Sequence, residues 1–380
     1  MAKRTSRGSN LAKSPDAVHL DVNAVAAGLL QDLAFVQESS QKTFAYKRAA
    51  AAVFELDRPL PELIGPGGTL GKIPGIGPSS TRVILEVLEA GASETVERAV
   101  ASSRQNADIQ RRRELRAHFL SRAAVRKVLE DASLGGPTPA DYRGDMQMHS
   151  EWSDGVPSLT QIAEASIALG WERAAVTDHS YGLKIASGMS MDEARAQHAA
   201  IDAVNAAYEG VFRLIKGVEA NIDADGHLDL SVAEAAAFEL VLAAPHSQLR
   251  VHADQTTRML RAVRNPATRV LAHPRGRISG SRGGVAADWN AVFAEAAAER
   301  VAVEIDGDPK RQDLDYTIAA RALAAGCLFA LDSDAHNTGQ LSYVETAIAH
   351  ARLAAIPPDR IVNCWPTDRL MAWLSDRRGA

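Results

Sequence analysis

Cysteine is scarce in this sequence. The 380 residues include only Cys327 and Cys364, and neither lies in a Cys-x-x-Cys pair. Small secreted domains depend on disulfide frameworks, whereas proteins of a reducing cytosol do without them. The cysteine content therefore predicts a protein without disulfide bonds and a cytoplasmic location.

Long apolar runs are also missing. No stretch approaches the ~20 consecutive apolar residues that a membrane-spanning helix needs. The segment from Met1 to Pro15 is basic and rich in small side chains, and it lacks the apolar core of a signal peptide. We predict a disordered basic arm over residues 1–18 and no association with membranes.

The net charge of −5 conceals an uneven distribution of charged side chains. Residues 1–140 carry 19 Lys and Arg against 15 Asp and Glu, whereas residues 141–380 carry 23 against 32. A basic half can approach polyanions such as nucleic acids. An acidic half repels them unless bound cations reverse its local field. A solvated helical surface is the alternative explanation of the basic half.

The first third of the chain has a helical pattern. Apolar residues recur at helical spacing from Asp21 to about Leu134. The following segment, Gly135 to Pro139, indicates a linker because Gly and Pro cannot continue a helix. We predict a helical domain over residues 19–104, a helical connector with this linker over residues 105–140, and a further domain over residues 141–380.

Short apolar runs alternate with Ala-rich helical segments after the linker. We predict seven strands, near Asp145–His149, Ala174–Thr177, Phe212–Val218, Leu240–Ala244, Arg269–Ala272, Val301–Ile305 and Leu328–Leu331. Strands that alternate with helices are typical of parallel β/α architecture. About seven such units favour a closed or nearly closed barrel. The predicted fold class is therefore α/β, a (β/α) barrel preceded by an all-α domain.

Side chains that bind metals recur at the carboxyl ends of these predicted strands. The candidates are His149, Asp154, His179, Glu219, His246, His273, Asp334 and His336. A single His at a strand end is usually structural, but in a parallel barrel all these positions converge on one rim. Imidazoles and carboxylates without thiolates suit Zn²⁺, Mn²⁺ or Fe. More than four ligands imply more than one ion, and Glu219 is the expected bridge between two of them.

Six short strings around these residues carry a family resemblance. They are Gly144-Asp-Met-Gln-Met-His-Ser-Glu-Trp-Ser-Asp-Gly155, Val176-Thr-Asp-His-Ser180, Lys216-Gly-Val-Glu219, Ala244-Pro-His-Ser247, Ala272-His-Pro-Arg275 and Asp332-Ser-Asp-Ala-His336. In order and spacing they resemble the PHP (polymerase and histidinol phosphatase) domain, in the subtype that ends bacterial family X DNA polymerases. The resemblance covers residues 141–370 and implies a distorted seven-stranded barrel that holds two to three divalent ions.

The same resemblance implies how the ligands are shared. One ion would be held by His149, Glu219 and Asp334, a second by Glu219, His246 and His273, and a third by Asp154, His179 and His336. The family pattern opens with His-x-His, whereas this chain has Gln147 at the first position. An amide oxygen is a weaker ligand than imidazole, so we expect the first position to bind its ion loosely or to prefer Mn²⁺ or Mg²⁺. A degenerate, inactive site is the alternative.

Three further residues near the strand ends are expected to support catalysis. Arg275 is positioned to clamp a phosphate oxygen, although a structural ion pair is the competing explanation. Lys184, in the loop after His179, is a similar candidate. Asp178 is expected to orient a ligand His rather than to bind a metal itself.

A glycine-rich turn distinguishes the helical domain. Ile73-Pro-Gly-Ile-Gly-Pro-Ser-Ser-Thr-Arg-Val83 places two glycines just before a helix, where backbone N–H groups can bind phosphate. With Leu70 to Lys72, the turn resembles a helix-hairpin-helix that binds the DNA backbone independently of sequence, and Phe44-Ala-Tyr-Lys-Arg-Ala-Ala50 resembles the N-terminal domain of family X polymerases. The candidate DNA-binding residues are Lys72, Gly75, Ile76, Gly77, Ser79, Ser80 and Arg82. A module that docks on the barrel or on another chain is the alternative.

The resemblance to a family X polymerase is incomplete, because residues 105–140 are too few to house a nucleotidyltransferase palm. We therefore expect no polymerase activity. The leading hypothesis is a metal-dependent phosphoesterase that acts on DNA as a 3′–5′ exonuclease or in processing 3′ ends and abasic sites during repair, through hydroxide that the bound ions generate. The alternatives are a small-molecule phosphatase of the histidinol-phosphate type and a catalytically weak DNA-binding scaffold.

Overall fold

The computed structural model describes residues 21–376, and the arm predicted over residues 1–18 lies outside them. The chain divides into two compact units, one ending at residue 99 and one beginning at residue 100. Within the described residues, no helix combines the length and the apolar character that crossing a bilayer requires. Each unit is considered by itself below.

The first unit is helical. Its helices are α1 (Val22–Phe35), α2 (Ser40–Phe54), α3 (Pro78–Ala90) and α4 (Glu94–Ala101), with a 3₁₀ turn at Leu60–Leu63. Asp21 caps α1 by accepting a hydrogen bond from the Ala24 N–H. Asn23, buried in α1, accepts from the Leu60 N–H at 2.8 Å and so ties the 3₁₀ turn to the helices. The core of this unit therefore combines apolar helix faces with one buried amide.

The predicted hairpin before α3 is present as a turn, but its first helix is short. Ile76 N donates to Ile73 O, and Gly75 has a φ of +82°, a conformation that glycine adopts without strain. The segment before the turn contains only the 3₁₀ helix Leu60–Leu63 and an antiparallel bridge between Ile64 and Leu70. The prolines and glycines of this stretch interrupt helical hydrogen bonding, which leaves the predicted helix-hairpin-helix unconfirmed.

The second unit is built on a parallel sheet. In the described residues the sheet has six strands in sequential order, β1 (Arg173–Val176), β2 (Arg213–Asn221), β3 (Leu240–Ala244), β4 (Val270–Leu271), β5 (Ala302–Asp306) and β6 (Leu328–Asp332). Its helices are α5 (Asn106–Leu115), α6 (Arg122–Glu130), α7 (Leu159–Ala168), α8 (Met191–Ala207), α9 (Val232–Ala235), α10 (Thr256–Arg264), α11 (Trp289–Ala298), α12 (Tyr316–Ala324), α13 (Val344–Leu353) and α14 (Thr367–Ser375). The strands carry small and branched apolar side chains that are buried on both faces of the sheet, as expected where helices surround a parallel sheet.

The segment predicted as the first of seven strands is extended but is not a regular strand. Side-chain oxygens take the place of ladder acceptors, because Met146 N donates to Asp332 Oδ1 and Met148 N donates to Thr177 Oγ1. The segment still contacts both edges of the sheet through Ala175 N to Asp145 O, Thr177 N to Met148 O and His149 N to Ala335 O. The expectation of seven strands is thus not confirmed. Residues 145–149 instead lie between β1 and the chain that follows β6. They form hydrogen bonds to both without forming a regular strand, and they are called the closing segment below.

The connector is part of the barrel unit. The buried side chain of Arg352 in α13 donates hydrogen bonds to four connector carbonyls, those of Val128, Asp131, Leu134 and Pro137. Gln312 binds both backbone groups of Leu120, at 2.8 Å and 3.0 Å. Two buried side chains of the barrel therefore satisfy connector backbone that would otherwise lose its hydrogen bonds to water.

We predict that Arg352→Met lowers the free energy of unfolding by about 2–4 kcal/mol, because four carbonyls lose a charged donor in a buried position. Urea denaturation of the purified protein measures the change. The control is Arg360→Met, since Arg360 is exposed and donates to a single carbonyl, that of Gly326. We expect the control to cost less than about 1 kcal/mol. Equal losses in the two variants would contradict the role given to Arg352.

Candidate metal centre

All eight predicted metal ligands meet at the carboxyl ends of the strands. His149 ends the closing segment, and Asp154 lies in the loop after it. The remaining ligands lie in or just after successive strands: His179 after β1, Glu219 in β2, His246 after β3, His273 after β4, and Asp334 and His336 after β6. The parallel arrangement of the strands explains the convergence, because every strand ends on the same rim.

Three histidines surround Asp154. Its Oδ1 lies 3.6 Å from His179 Nε2, 3.5 Å from His336 Nε2 and 3.9 Å from His149 Nδ1. One ligand atom from each of the four residues falls within 4.8 Å of all the others. Three imidazoles and one carboxylate at this spacing form a suitable site for a divalent transition metal.

Glu219 lies at the centre of the rim and belongs to two further groups of ligands, one with His179 and His246 and one with His149 and Asp334. The first of these differs from the expected group of Glu219, His246 and His273, because His179 takes the place of His273. Its Oε1 is 3.0 Å from His246 Nε2 and 2.8 Å from His273 Nε2, and its Oε2 is 3.3 Å from His179 Nδ1. Its Oε2 is also 3.3 Å from His149 Nε2. Because the two oxygens face different histidines, the carboxylate would be able to contribute to the binding of two ions.

Asp334 completes the third group. Its Oδ1 lies 3.1 Å from His149 Nε2, and His149, Glu219 and Asp334 place ligand atoms within 4.8 Å of one another. Gln147 is fully buried beside this group, with its Nε2 3.4 Å from Asp334 Oδ1. The expected ninth ligand is therefore close enough to contribute, but as a neutral amide.

Buried polar atoms in this cluster test whether it fits metal ions. In the described part of the chain, Gln147 Oε1, His149 Nδ1 and Glu219 Oε2 are buried without a hydrogen-bond partner. Buried polar atoms in proteins are nearly always paired. Each of the three atoms carries a lone pair that a cation would accept, so the donor set fits divalent ions.

The protonation states of the cluster also suit metal binding. Burial lowers the pKa of His179 to about 4, so the ring is neutral near pH 7. Burial alone would raise the pKa of Glu219, but the adjacent His179 and His246 bring it well below its usual range. His149 is the exception. Burial opposes its protonated form, yet the neighbouring carboxylates of Asp334 and Glu219 raise its pKa well above the usual value. A bound ion would have to displace that proton.

Arg275 forms an ion pair within the protein, which was the alternative to its predicted role as a phosphate clamp. Its Nη1 lies 3.2 Å from Asp315 Oδ2, and its backbone N donates to Asp313 Oδ2. The arginine predicted as a phosphate clamp is thus held in a largely buried ion pair. Lys184 is exposed at the start of the 3₁₀ turn Lys184–Ala186, and its role in substrate binding stays a prediction.

Asp178 has different partners from those expected. Its carboxylate accepts hydrogen bonds from the backbone N and the Oγ of Ser150, from Ser153 Oγ and from Gln197 Nε2. It therefore holds the turn that leads to Asp154. None of these hydrogen bonds comes from a ligand histidine, so the expected role of Asp178 in orienting such a ring is not confirmed. Ser150 and Ser153 lie in the loop between His149 and Asp154, and their hydroxyl groups both donate to this carboxylate.

Two residues beside the ligands were not identified from the sequence. Asn221 Oδ1 lies 3.1 Å from His246 Nδ1 and orients that ring. The sequence could have indicated this role, because Asn221 is two residues after Glu219 and its side chain therefore lies on the same side of β2. Arg311 lies 3.2 Å from Asp334 through Nη2 and 3.4 Å from Asp306 through Nε. It follows β5, on the same rim as the ligands, and this position could have indicated a role.

This chain is similar in sequence to two kinds of bacterial protein. The DNA polymerase/3′-5′ exonuclease PolX of Bacillus subtilis (strain 168) is 35% identical over 222 residues, which are 58% of this chain and 39% of PolX. The probable phosphatase YcdX of Escherichia coli O81 (strain ED1a) is 27% identical over 174 residues, 43% of this chain and 68% of YcdX. No protein-family model matches the chain. The resemblance to PHP-domain phosphoesterases is confirmed.

The chain spans well under half the length of PolX. Among solved structures, histidinol phosphate phosphatase HISK from Lactococcus lactis, complexed with Zn, L-histidinol and phosphate, aligns with a TM-score of 0.41 and 16% identity, covering 55% of this chain and 94% of HISK. The histidinol phosphatase hisK of Listeria monocytogenes, described as putative, aligns with the same TM-score and 11% identity, covering 52% of this chain and 97% of its own.

We predict that Glu219→Gln lowers the metal content of the purified protein more than His336→Ala does. Glu219 contacts ligands of two groups, whereas His336 contacts one. Elemental analysis after exhaustive dialysis measures the ions retained per chain. Glu295→Gln on α11 serves as the control, because that carboxylate pairs with Arg264 on the surface. If His336→Ala removed as much metal as Glu219→Gln, Glu219 would not be shared.

Proposed function

We propose that this protein hydrolyses phosphoester bonds of DNA, as a 3′–5′ exonuclease or in processing 3′ ends and abasic sites. The observation that carries the proposal is the buried Glu219 carboxylate shared between groups of histidines at the mouth of the barrel. Clusters of adjacent divalent ions are the usual means of stabilising both the attacking and the leaving oxygen in phosphoryl chemistry.

The relatives support the general activity, hydrolysis of phosphoesters by a PHP-type enzyme. The similarity to PolX, whose name includes a 3′-5′ exonuclease, favours DNA as the substrate. The similarity to YcdX, a probable phosphatase, favours a phosphomonoester instead and supports a small-molecule phosphatase as the second candidate function.

Bound ions would supply the chemistry by activating water and polarising a phosphate oxygen. The chain's own residues hold those ions in place: Glu219 remains ionised between the histidines, and Asn221 fixes the ring of His246. Neither cysteine is suited to act as a nucleophile. Burial raises the pKa of Cys327 and of Cys364 to about 12, so both thiols stay protonated at neutral pH.

The first unit offers features suited to a phosphate backbone. Gly77 is the N-cap residue of α3 and makes no side-chain cap, so the N–H groups at the start of the helix remain available to an anion. Lys72 and Arg82 are exposed on either side of this helix start. Gly75 adjoins the exposed side chain of Arg48, whose Cγ would lie 3.4 Å from a Cβ added to that glycine.

The seven predicted DNA-binding residues differ in exposure. Lys72, Gly75, Gly77, Ser79 and Arg82 are exposed, Ile76 is half-buried and Ser80 is buried. Ser80 and Ile76 are therefore suited to support the turn rather than to contact DNA. Phe44, on α2 near Arg48, exposes 77% of its side chain and is available for stacking on an unpaired base.

A nuclease panel tests the proposal. We expect the protein with Mn²⁺ to shorten a labelled primer on a template or to process recessed and abasic ends, and we expect His179→Ala to abolish the activity because it removes a ligand shared by two groups. Turnover of small phosphate monoesters with all DNA left intact would favour the second candidate. If neither substrate were hydrolysed, and His179→Ala behaved like the unmodified protein, the protein would be a scaffold and the proposal would be wrong.

We further predict that replacing Lys72 and Arg82 with Glu weakens DNA binding about tenfold at ~0.1 M salt and flattens its dependence on salt. Hydrolysis of a small phosphate monoester should not change, since neither residue belongs to the metal centre. Fluorescence anisotropy with labelled DNA measures the affinity. The control replaces Arg195 with Glu, which changes an exposed basic residue on α8 of the other unit that has no place among the candidate binding residues. An undiminished DNA affinity in the double variant would contradict a binding role for the turn.

A further inference from the structure

Arg311 places a permanent positive charge against the ligands of the metal centre. Its side chain is 16% exposed, and its guanidinium contacts Asp334 Oδ2 through Nη2 and Asp306 Oδ2 through Nε. Its Nη1 is buried without a hydrogen-bond partner in the described part of the chain. The two neighbouring carboxylates and the low exposure fix this cation beside the centre.

The backbone of Arg311 is also held. Its N–H donates to Asp308 O at 2.8 Å, and its carbonyl accepts a hydrogen bond from Arg277 Nε at 3.0 Å. The next residue, Gln312, binds the backbone of Leu120. The guanidinium therefore cannot leave the centre without breaking contacts on both sides of its own backbone.

The two oxygens of Asp334 face different partners. Oδ1 faces His149 Nε2 at 3.1 Å and Gln147 Nε2 at 3.4 Å, whereas Oδ2 faces Arg311. The group formed by His149, Glu219 and Asp334 thus has one imidazole and two carboxylates, and one of those carboxylates is already paired with a cation. Asp154, by contrast, faces three histidines and has no ion pair with an arginine in the described residues.

We propose that Arg311 weakens metal binding in the group of His149, Glu219 and Asp334, so that this position exchanges its ion readily. Two positive charges at this separation repel each other appreciably even where solvent partly screens them. Gln147 adds no charge that would compensate for the repulsion. The other two groups contain more imidazoles and hold their ions more tightly.

A purely structural role of Arg311 makes the opposite prediction. If the guanidinium mainly orients Asp334, its removal disorders a ligand and lowers metal affinity. If it mainly repels an ion, its removal raises affinity. The sign of the change in affinity therefore separates the two roles, and it does so without any substrate.

Calorimetric titration of metal-stripped protein with Mn²⁺ measures that sign. We expect Arg311→Met to strengthen the weakest binding step by on the order of tenfold to a hundredfold, and the charge-conserving Arg311→Lys to leave it within about threefold of the unmodified protein. Gln147→His should strengthen the same step by a separate route, because it adds an imidazole. Weaker or unchanged Mn²⁺ binding by Arg311→Met would overturn the proposal.

A second variant covers the case in which Arg311→Met does not fold, as judged by circular dichroism. Arg311→Gln removes the charge but keeps a hydrogen-bond donor toward Asp334, and it should show the same gain in affinity. A loss of affinity in Arg311→Gln would overturn the proposal equally. Because the titration contains neither DNA nor a phosphate ester, its outcome is independent of whether the protein proves to be a nuclease.

Discussion

The candidate metal centre is organised around one carboxylate that is buried among histidines. Glu219 is 1% exposed and is within reach of His149, His179, His246 and His273. Burial of an ionised carboxylate is costly unless opposite charges or hydrogen bonds compensate. The four rings supply part of that compensation, and divalent ions would supply the remainder. The histidines at the rim of the barrel therefore provide the environment in which the buried Glu219 carboxylate can remain ionised.

The barrel meets this requirement through its ends and not through its core. Regular parallel strands deliver histidines to one rim, while the irregular closing segment over residues 145–149 brings His149 and Gln147 beside Asp334. A short stretch after β5 then joins the metal centre to the connector, because Arg311 contacts Asp334 and Gln312 binds Leu120. Support for the connector and control of the charge at the centre thus come from adjacent residues.

Much of this arrangement could be predicted from sequence, because strand ends in a parallel barrel have fixed positions relative to one another. The eight ligands were predicted in this way, and the structure brings them together. The exceptions depend on partners distant in sequence. The side chains of Asp332 and Thr177 accept the hydrogen bonds that a neighbouring strand would accept from the closing segment. Asp315 forms an ion pair with Arg275, and two serines donate hydrogen bonds to Asp178. A pattern of residue types predicts where a side chain lies along a strand, but it does not show which distant side chain will form a hydrogen bond with it.

Whether Glu219 is shared between ions can be measured by anomalous X-ray diffraction from crystals grown with Mn²⁺, because this method locates the ions without relying on activity. We expect an anomalous peak within coordination distance of each carboxylate oxygen of Glu219, with His246 and His273 beside one peak and His149 beside the other. Peaks that lie away from Glu219, or a cluster of histidines without any peak in crystals that contain Mn²⁺ elsewhere, would show that Glu219 does not hold ions on both sides.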